Sequence, residues 1–153
     1  MSSDNKNHVI KLVINTPDDK VFEGEVENVY IPSTEGICGI LPGHAHMLAA
    51  IDIGTVSYIR QGIGSFLKVA TGFGEIHNNS VTLSVEIAEF AEHIDVERAK
   101  KALERSVDRL SSPDSDVDIK RAERAFKRAN ARIEAHHKYT YGRKKESKKP
   151  GSQ

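Results

Sequence analysis

Apolar and polar positions change their period once along this chain, close to residue 94. Before that point they alternate in short runs. "HVIKLVINTP" ends at Pro17, and "KVFEGEVENVYIP" alternates around Gly24 and ends at Pro32. A turn-rich "STEGICGILPGH" follows, then "GTVSYIRQG", "GSFLKVATG" and "NNSVTLSVEIAEF". Such alternation sends successive side chains to opposite faces of a strand. Asn78-Asn79, between "FGEI" and "VTLSVEI", predicts a tight hairpin. Nine of the eleven glycines fall in this half, which suits many short strands separated by turns. The expectation is a β-sandwich or barrel.

After residue 94 the spacing becomes helical. Ala99, Leu103, Val107 and Leu110 form one apolar stripe, and Ile119, Ala122, Phe126, Ala129 and Ile133 form a second. Between them lies "SSPDSD", in which Pro113 stops one helix and Ser115 or Asp116 can cap the next. Asp95 immediately precedes the first periodic segment and is placed to cap it. Two helices joined by a short polar link form an antiparallel hairpin. Both stripes are thin and rich in alanine, so the hairpin is expected to dock or undock at modest cost. The fold class is thus β + α: an N-terminal antiparallel β-sandwich over 1–90, then a C-terminal two-helix hairpin over 91–137. Residues 138–153 read as a basic, disordered tail.

Composition adds a division that the total conceals. The 153 residues carry zero formal net charge. Residues 1–94 hold five basic and twelve acidic side chains, a net of −7, and residues 95–153 hold seventeen and ten, a net of +7. Two units with different partners, or two units that attract one another, would show this asymmetry. No run approaches the ~20 apolar residues of a membrane span, and "MSSDNKNH" lacks the apolar segment of a secretion signal. Cys38 is the sole cysteine, which excludes an internal disulfide and points to a reducing compartment.

The search for chemistry narrows to the hairpin. The chain has no Walker-type glycine loop and no Gly-x-Ser-x-Gly elbow. His44 and His46 share a face of an extended chain, but two ligands do not make a metal site. No catalytic role is expected. At about 100° per residue, Arg98, Arg105 and Arg109 fall within roughly 40° on the first helix. Arg121, Arg128 and Arg132 do the same on the second. With the apolar stripes turned inward, the two rows can edge a common groove, where guanidinium forks suit phosphate or carboxylate oxygens. A solvated face, pairing with Glu104, Asp108 or Glu123 at helical spacing, explains the same arginines. A free-standing nucleic-acid-binding module using the basic hairpin and tail is the alternative function; few aromatic residues in that half and an acidic sandwich count against it.

"TPDDKVFEGEVENVYIPSTEGICGILPGHAHML" resembles the N-terminal signature of the epsilon subunit of the bacterial rotary, proton-driven ATP synthase. That family reads "TPDG-VF-GEVE", then "EGE-GILPGHAPLL", later "SGGF-EV", then "ID--RA" opening a helical hairpin. Counterparts stand here in order over residues 9–133. Ile37-Cys38 replace an acidic and a large apolar residue, His46 replaces a proline, Thr71-Gly72 replace a glycine pair, and Gly74 replaces an aliphatic residue. The chain beyond Ile133 is longer than usual.

The resemblance implies a non-catalytic rotor subunit at the cytoplasmic face of the cell membrane, requiring no cofactor. Its sandwich would bind the gamma shaft and the proteolipid c-ring, with the turn Glu35–His46 (Glu35, Gly36, Gly39, Pro42, Gly43, His44) as the ring- or shaft-facing surface. Its hairpin would lie folded on the sandwich, or extend into the catalytic alpha/beta hexamer and block hydrolysis. Some members bind ATP as a regulatory ligand through "I/L-D-x-x-R-A", matched here by Ile94–Ala99. The implied ATP residues are Glu89, Asp95 and Arg98 for base and ribose, and Arg105, Arg128 and Arg132 for the phosphates. Neither metal nor nucleic acid is expected.

Overall fold

Alternation becomes strand and the 3.6-residue period becomes helix, with the change at residue 94. The computed structural model describes residues 8–111 and 116–147. The strands are β1 (Ile10–Asn15), β2 (Lys20–Val26), β3 (Asn28–Ser33), β4 (Gly36–Ile40), β5 (Met47–Ile51), β6 (Gly54–Arg60), β7 (Ile63–Val69), β8 (Gly72–His77), β9 (Ser80–Val85) and β10 (Ala88–Phe90). A 3-10 turn, Ala91–His93, leads to α1 (Val96–Ser111) and α2 (Asp116–Ser147). The order β10-β7-β6-β3-β5-β8-β9-β1-β2, with β4 on β3, folds into two layers. One residue pair, Ser33 with Ile51, joins β3 to β5 and so joins the layers. All pairings are antiparallel except β1 with β9.

The core lies between the layers and follows the alternation. Ile10, Leu12 and Ile14 of β1 point inward, as do Val81, Leu83 and Val85 of β9 and Leu67 and Val69 of β7. Gly72 shows how closely β8 and β9 approach, since a Cβ there would collide with the Ser84 carbonyl. The hairpin between these strands turns through Asn78 and Asn79 at φ 47° and 55°, the left-handed pair that a two-residue turn requires.

Three segments differ from the sequence reading. "KVFEGEVENVYIP" is two strands, because the chain crosses at Glu27 from the edge of one layer into the other; the Glu27 N–H donates to the Ile59 carbonyl at 2.7 Å. "STEGICGILPGH" contains β4, whose side of β3 supplies the backbone partners that a local turn reading lacks. The expected disordered tail is helical from residue 138 to Ser147. Tyr139 packs with Phe66, Ala91, Ile94 and Ala135, Arg143 donates to the Tyr139 hydroxyl at 2.8 Å, and Lys138 pairs with Glu134. The apolar cluster holds these turns against the sandwich, and the two polar pairs lie within the helix. Pro113 as helix stop and Ser115 as cap lie outside the described residues, as does the tail beyond 147.

The hairpin is attached by small side chains. Ala99 and Ser106 are buried on α1, and Ala122, Ala129, Ala131 and Ala135 on α2. α2 touches β6, β7 and the 3-10 turn as well as α1, so it carries the contact between hairpin and sandwich. Among the described residues no helix is long and apolar enough to cross a membrane.

Candidate functional site

Asp95 begins the site. Its Oδ1 accepts the Arg98 backbone N–H at 3.1 Å, and its carbonyl accepts the Ala99 N–H. The cap fixes where α1 starts and therefore which way Arg98 and Arg105 project, seven residues and two turns apart. Beside them Glu89 reaches out from β10. Arg132 of α2 donates to both Glu89 oxygens, from Nε at 3.0 Å and from Nη2 at 2.9 Å. This two-pronged bridge ties the hairpin to the sandwich. Both side chains are about one-third exposed (33% and 30%), so the pair is partly screened yet geometrically well defined.

Together these elements surround a cavity of about 470 Å³. Of the six residues implied for ATP, Glu89, Asp95, Arg98, Arg105 and Arg132 line it, with His93, Ile94, Ala99 and Ala102. Arg128 does not line it. It lies with Lys120, Arg121 and Arg124 along a separate basic groove of about 320 Å³. The cavity thus offers two carboxylates and three guanidinium groups, acceptors that suit hydroxyl and amino groups and donors that suit phosphate oxygens.

Electrostatics single out one residue that sequence reasoning missed. Lys68, on β7, pairs across the sheet with Glu89 of β10 and with Thr55 of β6. It is fully buried (0% exposed), and its Nζ has no hydrogen-bond partner among the described residues. Burial and then the Arg132 charge lower its pKa to about 8, with Glu89 opposing and Arg128 adding to the fall. Hydrogen bonding from Arg132 holds the Glu89 carboxyl below the usual carboxylate range against the effect of burial. The same bond raises Arg132. The only sequence signal for Lys68 was its rarity, as one of five basic residues in the acidic half.

The second group of implied residues does not form one patch. Glu35 and Gly36 turn β3 into β4, where the Ser33 hydroxyl accepts the Glu35 N–H and donates to the Gly36 carbonyl. Pro42, Gly43 and His44 lie beyond the other end of β4. Five residues of strand separate these turns by about 16 Å, with Gly39 between them on β4. Gly43, at φ 84°, donates its N–H to Asn79 Oδ1 at 2.7 Å, which braces the Pro42–His44 turn on the β8–β9 hairpin. The reading of Glu35–His46 as a single turn at one end of the sandwich is corrected: β3 pairs with the intervening residues and straightens them. His46 rests on His77, with ring centroids 4.6 Å apart, and His44 donates from Nδ1 to the Ala45 carbonyl.

An acidic β-sandwich strapped by a basic helical hairpin, with an arginine-lined cavity at the seam, defines a class of small two-part proteins. A family model described as the beta-sandwich domain of the ATP synthase Delta/Epsilon chain matches residues 9–91, and one described as its long alpha-helix domain matches residues 92–136. The ATP synthase epsilon chain of Desulforamulus reducens is 43% identical over 127 residues, covering 82% of this chain and 95% of the relative. That of Bacillus velezensis is 40% identical over 125 residues, with the same coverage. A chain in the Euglena gracilis mitochondrial ATP synthase, OSCP/F1/c-ring assembly, superposes with a TM-score of 0.75 at 25% identity, covering 81% of this chain and 79% of that one. The chain belongs to the ATP synthase epsilon-chain family.

Proposed function

We propose that this chain is a non-catalytic subunit of the central stalk of a rotary ATP synthase, at the cytoplasmic face of the cell membrane. In this reading it helps to couple proton flow to ATP synthesis, and its hairpin restrains ATP hydrolysis. The apolar groove of about 630 Å³ that includes Pro17, Ala50, Ile51 and Phe73 suits the gamma shaft, since Phe73 is 70% exposed on the sheet. The braced Pro42–His44 turn, next to exposed Leu41, suits the c-ring. The extended hairpin would bring its basic face to the catalytic alpha/beta hexamer.

The hairpin also senses ATP as a regulatory ligand. The observation that carries this reading is the convergence of Glu89, Asp95, Arg98, Arg105 and Arg132 on one cavity between helix and sandwich. Glu89 and Asp95 would accept from the adenine amino and ribose hydroxyl groups. Arg105 and Arg132 would donate to phosphate oxygens, and Arg132 keeps N–H donors beyond the two that Glu89 takes. Arg128 would join only by swinging from the neighbouring groove. A ligand that needs both helix and sandwich binds the docked hairpin better than the undocked one, and so favours docking.

Calorimetric titration of the isolated protein with ATP tests the sensor. Wild type should release heat below millimolar ATP, and Arg98→Ala or Arg105→Ala should weaken binding at least tenfold. No heat from wild type at millimolar ATP would end the sensing proposal. For the subunit role, deletion of residues 95–153 should raise ATP hydrolysis by a reconstituted complex; a complex indifferent to the whole chain would contradict it.

A further inference from the structure

Docking the hairpin encloses a positive charge without an acceptor. Lys68 emerges from β7 on the sheet face that α2 covers, and it is fully buried there, its Nζ without a hydrogen-bond partner among the described residues. Directly paired antiparallel residues share a face, so Thr55 of β6 flanks it on one side and Glu89 of β10 on the other. Thr55 Oγ1 is likewise buried without a partner among the described residues. Among the described residues Glu89 is the carboxylate whose charge acts on Lys68, and both its oxygens already receive Arg132. From α2, Arg132 and Arg128 both act on Lys68 as like charges. Of the charges that act on Lys68, two are cations of α2 and one is the Glu89 carboxylate.

We infer that Lys68 makes hairpin docking depend on a bound anion: a phosphate group beside Arg132 supplies the negative charge that the seam lacks. Without it, the buried ammonium opposes docking; with it, the same ammonium favours docking. The inference rests on the nucleotide reading above and gives that site its coupling. It assigns the sensitivity to a sandwich residue that does not line the cavity, acting through Glu89 and Arg132 as a positioning charge.

A pH signature follows. Lys68 titrates near 8 when docked, against an ordinary 10.5. A cation with a depressed docked-state pKa opposes docking fully below the docked value, and the opposition fades as pH rises toward the undocked value. Docking should therefore strengthen about tenfold between pH 7 and pH 9.

The test uses the full chain and reads hydrogen-exchange protection factors of α2 amides at pH 7 and pH 9. It compares wild type, Lys68→Met and Lys68→Gln, each alone, with inorganic triphosphate, and with ATP. Two neutral variants of different polarity guard against a packing artefact in either one. Wild type alone should gain about tenfold in protection between the two pH values, and both variants should be flat. Triphosphate should protect wild type at pH 7, and that gain should fall at least fivefold in both variants. A pH slope that persists in the variants, or a triphosphate gain unchanged in them, overturns the role of Lys68. Protection by triphosphate but not ATP overturns the nucleotide reading and leaves the Lys68 inference supported. Protection by ATP that both variants retain does the reverse.

Discussion

Sandwich and hairpin are both closed by apolar contact, but with different materials. Between the layers, Ile, Leu and Val from nearly every strand are buried completely, and Leu12, Ile14, Val29, Ile31, Leu67 and Leu83 have no exposed surface. Between hairpin and sandwich the buried cluster is Ala91, Ile94 and Ala135, with Phe66 and Tyr139 partly covered, beside the Glu89–Arg132 bridge. Burial contributes roughly 25 cal/mol per Å², so branched side chains make a layer that separates only on unfolding. Alanines and one partly screened ion pair make a joint that can open while the sandwich stays folded. Under the proposed function, the difference is what would let one chain combine a fixed anchor with a moving part.

The comparison breaks most readily at the core. Leu83→Ala should cost about 3 kcal/mol of global stability, read as a shifted midpoint in chemical denaturation. A loss confined to the hairpin would contradict the division. Next comes the bridge: Glu89→Gln should weaken docking by about 2 kcal/mol, because Arg132 and Lys68 lose their shared counter-charge. Hydrogen exchange in α2 should rise while β1 and β9 stay protected. Acid should act through the same carboxylate. Its pKa is depressed below the ordinary 4.5 by docking, so its contribution is present above that value and is lost as pH falls through the docked value.

Smaller effects sharpen the contrast. Tyr139→Ala removes the aromatic cover from the Ala91, Ile94 and Ala135 cluster and should cost about 1–2 kcal/mol of docking, seen as faster exchange in residues 135–147 alone. Asp95→Ala should cost about 1 kcal/mol by uncapping α1, whereas Asp95→Ser should restore the cap without the carboxylate. If Asp95→Ser recovers helicity by circular dichroism but not ATP binding, capping and ligand contact are separate roles of one side chain. Equal recovery of both would assign Asp95 to capping only.

Much of this was legible in the residues. Alternation marked most of the strands, Asn78-Asn79 marked one of their two-residue turns, and the Asp95 cap stood one residue before α1. The pairing of β4 with β3 was not legible, although only Thr34 and Glu35 separate the two strands, since the two glycines of "GICGI" make it read as part of a turn. The helical end of α2 was also hidden. Lys138, Arg143, Lys144 and Lys145 make residues 138–147 look like a solvated tail, and only the folded chain brings Ala91 and Ile94, more than forty positions earlier, to the apolar cluster that Tyr139 covers.

By itself the sequence determined periodicity, caps, charge division and family signature, because these depend on near neighbours and on residue type. The tertiary structure decided which charges meet. Arg98 and Arg105 share a face by helical arithmetic, but only docking puts them around a cavity with Glu89, leaves Arg128 in the next groove, and seals Lys68 beneath α2. The physical reason is range. Helical and strand periods act over a few residues, whereas the energy of a buried charge depends on every element packed around it.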